Sequence, residues 1–188
     1  DFIRHGYLRF TEEVWTINHG GYFLKDIDLI VAMDDMRWKA REPGYEGYIT
    51  KLAEQNLPIL TSKAYEEYPT AIEYPIKEVV ESLNFPFGMN NSVVYALALA
   101  MYRGVESIYL YGCEFHTRPL VTRIKHGDPP WRKYHLPENL NKYGEPGEDL
   151  TMFTLGLAHS KGIKIHIANG SNLGNRDIPT YFYGYVDQ

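Results

Sequence analysis

A chain of 188 residues, 44% hydrophobic and 23% charged, carries enough apolar side chain for one packed globular domain over residues 1–188, and this composition excludes a disordered or fibrous protein. The formal net charge is −5 and no Lys/Arg cluster accompanies it, which argues against a surface that tracks nucleic-acid phosphates. A single cysteine, Cys113, excludes an intrachain disulfide and reads as a small buried hydrophobe; no run has the length of a membrane span or the plan of a signal peptide, so a cytoplasmic protein is expected.

In chain order, residues 1–10 read as a helix entered part-way. Residues 14–17 form an expected strand that gives way to Asn18-His19-Gly20-Gly21, polar and pliant as a loop at a ligand edge should be. Residues 28–33, DLIVAM, make a second strand ending in Asp34-Asp35. A Pro/Gly turn over 41–47 and a helix over 48–55 lead to a third strand at 57–60, which ends at Thr61-Ser62. Residues 63–75 are rich in Tyr and Glu without a clear period, and are expected to be an irregular excursion with one helical turn; a short helix follows at 77–83.

The most legible stretch is NNSVVYALALAMYRGVESIYLYGCEFH, residues 90–116. Val94, Leu97, Ala98 and Met101 recur at the spacing of one helix face, and Ala96, Leu99 and Ala100 fill most of the remainder, so a nearly all-buried helix is expected. Asn90, Asn91 or Ser92 can cap it, and Gly104 stands where a left-handed residue ends a helix. Residues 108–111 then read as an inner strand of a parallel sheet, closed by Gly112. Residues 117–147 lack periodicity and carry Pro119, Pro129, Pro130, Pro137 and Pro146, as expected of an irregular lid between the last two strands. A helix over 149–161 is expected to show Met152, Leu155, Gly156 and His159 on one face, with Phe153, Leu157 and Ala158 nearby. Gly162 stops it, and a last strand at 163–168 ends in Asn169-Gly170-Ser171-Asn172; residues 181–185 add an edge strand.

The expected fold is therefore α/β, a Rossmann-like, mostly parallel sheet flanked by helices. In such a layer strand ends and helix starts share one edge, where ligands bind. Asn18, Asp34, Asp35, Thr61, Ser62, Glu114, His116, Ser171 and Asn172 follow strands, and Ser92 opens a helix. This set is rich in amide and hydroxyl groups and poor in Lys/Arg, which suits a ribose and base better than a bare triphosphate. Neither G-x-G-x-x-G nor GxxxxGK[ST] occurs, so a dinucleotide or P-loop site has no support.

The pattern S-x-V-Y-x-x-x-x-A-x-x-x-G-x-x-x-I-Y-L-x-G-x-[DE]-F, Ser92 to Phe115, resembles the central motif of the bacterial sialyltransferases that build lipooligosaccharide, and of the related domain family that includes 6-hydroxymethylpterin diphosphokinase-like and phage-encoded proteins. The resemblance extends to Asn18, Asp34 and KIHIANGSNL, residues 164–173. It implies nucleotide contacts from Asn18 and Ser92, and the strand-end residues Asp34, Glu114, Ser171 and Asn172 are expected to join them. A histidine base in the lid is also implied, with His126 and His135 as candidates; His116 stands where the family has a tyrosine on the donor phosphate. Two departures accompany it: Val93 occupies a family glycine, and the family's opening strand and G-N-G-P-S phosphate loop do not appear, so the chain is expected either to be truncated or to have lost that grip.

Three functions follow as expectations. In the first, the protein is a glycosyltransferase that binds a nucleotide-activated sugar and needs no cofactor. The second is a diphosphokinase-like transferase using Mg²⁺ on Asp34, Asp35 or Glu114. The third is a non-catalytic phage nucleotide-binding protein. The resemblance favours the first, in a bacterial or phage-infected cell.

Overall fold

Short β-branched runs, each followed by polar residues, set the architecture of this computed structural model, which describes residues 12–18, 24, 26–39, 47, 50, 52, 54, 56–86, 88–113, 140–168 and 173. The chain divides into two compact units, Asp1–Glu106 and Ser107–Gln188.

In the first unit four strands, β1 (Trp15–Ile17), β2 (Leu29–Val31), β3 (Ile59–Thr61) and β4 (Ala71–Glu73), lie side by side in sequence order, every pair parallel. The register sets Ile30 opposite Ile59 and Ile59 opposite Ala71, so these side chains share one face. Ile27, Ala32, Met36, Leu52 and Tyr65 complete a buried cluster there. The short α1 (Met36–Lys39) follows β2; α2 (Ile76–Leu83) and α3 (Ser92–Tyr102) follow β4. Helix α3 packs against α2 and β2 and buries Val94, Leu97, Ala98, Leu99, Ala100 and Met101, as its sequence spacing requires. Asn91 is its cap, with Oδ1 accepting from the Val94 N–H at 3.0 Å. At the other end Gly104 takes φ +70 and the Val105 N–H returns to the Ala100 carbonyl, the six-residue closure expected of a left-handed helix stop.

Two contacts orient α3. The Tyr74 hydroxyl, just past β4, donates to the Tyr95 carbonyl in the first turn at 3.0 Å. Arg103, just past the last turn, donates to Glu13 at 3.1 Å and lies 5.1 Å from the Trp15 ring, where β1 begins. The helix therefore runs against the strands, and its N-terminus stands at the edge where they end.

In the second unit β5 (Ser107–Leu110) pairs in parallel with β6 (Lys164–Ile167), and α4 (Leu140–Ser160) connects to β6 through Gly162 and packs against it. Both units thus have parallel α/β character. No helix among the described residues is long and apolar enough to cross a membrane.

Several expectations are corrected. Residues 71–73, placed in an irregular excursion, form the parallel strand β4; Pro69 and Pro75 flank a run too short to show a period. The third strand runs to Thr61, one residue past its expected end. Helix α4 begins at Leu140, so residues 140–147, assigned to the lid, are helical; that polar stretch offers no apolar stripe to read. The buried face of α4 is also displaced. Thr151, Thr154, Leu155 and Ala158 are inside, while Met152 and Phe153 are about 40% exposed. The threonine hydroxyls donate to the Gly147 and Leu150 carbonyls at 2.8 and 2.7 Å, which removes the cost of burying them. Strand β5 is less buried than its apolar run implies: only Leu110 is inside, and Tyr109 stacks on His166 across the pair at 4.3 Å. Thr50, Leu52 and Glu54, from the helix expected over 48–55, are helical, and Leu52 is fully buried. The expected elements at 1–10 and 181–185, and lid residues 117–139, lie outside the described residues.

Candidate functional site

The candidate site is the edge of the four-stranded sheet at which all four strands end. Backbone geometry there is set by polar residues that tolerate unusual conformations. Asn18 closes β1 with φ +47, a region Asn visits more readily than most residues because its short side chain bonds locally. Its Oδ1 is buried and has no hydrogen-bond partner. Thr70 Oγ1, just before β4, is likewise buried without a partner, and such groups are uncommon in folded proteins.

After β2, Asp34 and Asp35 are both exposed. Asp35 accepts from the Arg37 backbone N–H and from Lys63 Nζ, each at 2.9 Å. Lys63 follows β3, so this ion pair ties the ends of adjacent strands together. Its bond to Asp35 raises the Lys63 pKa. Arg37 forms a two-point bridge to Glu67, at 2.6 and 3.0 Å, and this holds the Glu67 carboxyl down to about 2. Between the two pairs lies Tyr65. Its ring is buried, with Lys63 Nζ at 5.2 Å and the Arg37 guanidinium carbon at 5.6 Å from the centroid. Its hydroxyl accepts from the Met36 N–H at 2.9 Å, satisfying a donor that α1 leaves open.

Thr61 is fully buried and spends its hydroxyl on the Lys63 carbonyl at 2.6 Å, which removes it from the candidate ligand contacts. Beyond β4, Tyr74 is 2% exposed, and burial pushes its hydroxyl well above the usual tyrosine range; Tyr95, edge-on to it at 5.0 Å, shifts the same way for the same reason. Ser92 is the first residue of α3, one position inside the cap, and half-buried.

The structure therefore brings Asn18, Asp34, Asp35 and Ser92 to the edge of one unit. Glu114, His116, His126, His135, Ser171 and Asn172 lie outside the described residues. The expectation of an edge poor in Lys/Arg is corrected by Lys63 and Arg37. Arg37 is two residues past the Asp34-Asp35 pair, and Lys63 directly follows Ser62, so both could have been placed from their distance to a strand end. Tyr65 and Tyr74 gave no such signal, being two among sixteen tyrosines. Among the described residues no group of three His, Cys, Asp or Glu is arranged to hold a metal ion, and Asp35 is engaged by Lys63. Cys113, after β5, is partly buried, and burial raises its thiol pKa, the setting of an unreactive cysteine.

Compared with protein-family models, curated proteins and solved structures, the chain finds no match in any of the three.

Proposed function

We propose that the chain is a Rossmann-like nucleotide-binding protein of glycosyltransferase type, taking a nucleotide-activated sugar at the edge where its parallel strands end. The observation that carries this reading is the composition of that edge: Asn18, Asp34 and Ser62 follow three parallel strands at the edge where the first turn of α3 is fastened by Tyr74. Parallel sheets bind ligands at this edge because strand ends free their loops while helix N-termini offer open N–H groups.

In the transfer step a general base takes the proton of an acceptor hydroxyl; the resemblance offers His116, His126 and His135 for that role, and all three lie outside the described residues. The acceptor oxygen bonds to the anomeric carbon as the bond from that carbon to the nucleotide phosphate oxygen breaks, and the nucleotide leaves with the electron pair. No metal enters. A Mg²⁺-dependent diphosphokinase reading would put the metal on Asp34, Asp35 or Glu114, and of these Asp35 is held by Lys63.

Thermal unfolding with CMP, UDP, GDP, ADP and ATP, each with and without Mg²⁺, tests the proposal. A ligand at a hundred times its Kd adds about 2.7 kcal/mol. Stabilisation by a nucleoside mono- or diphosphate without metal is the expected result. Stabilisation by ATP only with Mg²⁺, or by none of the five, overturns it.

A further inference from the structure

Two cations stand at an edge where the sequence promised amides and hydroxyls. Lys63 follows β3, Arg37 lies in α1 after β2, and the side chains of both are about half exposed. Neither is left to swing freely. Both lie against the buried Tyr65 ring, with Nζ 5.2 Å and the guanidinium carbon 5.6 Å from its centroid, and each is held by one carboxylate, Lys63 by Asp35 and Arg37 by Glu67. They are near enough for the charge of Arg37 to be felt at Lys63. Those bonds do not exhaust them. One of the three ammonium N–H groups goes to Asp35 and two of the five guanidinium N–H groups go to Glu67, so two donors on Lys63 and three on Arg37 have no partner among the described residues. Oriented donors on two cations, beside the ends of β2 and β3, suit an oxyanion, whose oxygens only accept. Resting on the nucleotide reading above for the identity of that anion, we infer that Lys63 and Arg37 bind the phosphate of the nucleotide, in place of a phosphate loop. Asp35, which accepts from both Lys63 and the Arg37 backbone, then competes with the ligand as well as orienting its binders.

The experiment is calorimetric titration of the full chain, Lys63→Met, Arg37→Met and Asp35→Asn with CMP, UMP, GMP and AMP, with the four parent nucleosides, and with inorganic phosphate. Methionine keeps an apolar stem over the Tyr65 ring and removes the charge. For whichever nucleotide binds, each methionine variant is expected to weaken it about tenfold while nucleoside affinity stays within about threefold of the parent chain, and added salt is expected to shrink the advantage of nucleotide over nucleoside. Asp35→Asn keeps an acceptor for the Arg37 N–H and is expected to tighten the nucleotide, because Lys63 loses its competing carboxylate. The inference is overturned, with the nucleotide reading intact, if a nucleotide binds and both methionine variants hold it within about threefold of the parent, since the two cations would then form surface ion pairs only. It is overturned equally if they weaken nucleoside and nucleotide alike, since their part would be structural. If no nucleotide binds but inorganic phosphate does, and both methionine variants lose it, the oxyanion site stands and the nucleotide reading falls. Binding of none of these compounds overturns both.

Discussion

Tyr65 and Tyr74 hold the same sheet edge with single hydroxyls, yet removing those hydroxyls should not cost the same. Tyr65→Phe strips the acceptor from the buried Met36 N–H and leaves a helix-start donor unsatisfied, a loss of about 1–3 kcal/mol. Tyr74→Phe removes a donor from the Tyr95 carbonyl, which still has its place in the helical ladder, so about 0.5–1.5 kcal/mol is expected. Urea unfolding of both variants gives the order directly; equal losses would mean that the Met36 N–H finds another partner. Charge at this edge has a defined pH response. The folded-state pKa of Glu67 is depressed to about 2 from an ordinary value of 4.5, so its stabilisation is present above the ordinary value and is lost as pH falls toward 2. The pair is exposed, so added salt should flatten that acid response, and Glu67→Gln should abolish it. Tyr74 and Tyr95 act at the other extreme. Their folded pKa values are raised, so their stabilisation is complete below the ordinary tyrosine pKa of about 10 and fades as pH rises above it.

Among the elements, α3 and α4 differ in how openly their sequences declare them. In α3 every buried position is apolar and both ends carry a capping residue, so helix, cap and stop were all legible. Asn91→Ala should cost about 1 kcal/mol in unfolding free energy through loss of the bond to the Val94 N–H. In α4 the inward face is built around two threonines, and hydropathy alone turns the helix toward Met152. A charge distinguishes the two faces: Thr154→Asp should unfold the second unit or cost several kcal/mol, whereas Met152→Asp should change stability by about 0.5 kcal/mol or less. A larger loss at Met152 than at Thr154, in thermal unfolding, would restore the face expected from hydropathy. Strand β4 was hidden for a different reason. Parallel neighbours are normally joined by a dozen or more residues with a helix, and the connection from Thr61 to Ala71 is shorter and contains none. Tyr65, in that connection, supplies the burial a crossover helix would otherwise give.

For the whole molecule, what could be read in advance was the alternation of short apolar strands with polar ends, because in a parallel layer that alternation decides which residues meet. Asn18, Asp34 and Ser92 came to one edge on that argument alone. The partners that occupy this edge were not readable, since the bridges from Asp35 to Lys63 and from Arg37 to Glu67 join residues about 30 positions apart. Nor did sequence show that Thr61, a strand-end hydroxyl, would turn back on its own chain. The central claim is that a nucleotide binds where the parallel strands end, and amide NMR of the labelled chain, titrated with the nucleotide that stabilises it most, tests this most directly. The account predicts shifts concentrated at Asn18, Asp34, Asp35, Ser62, Lys63 and residues 92–95. Shifts confined to Glu13, Val14, Leu57 and Thr70, at the opposite edge where the strands begin, would contradict it.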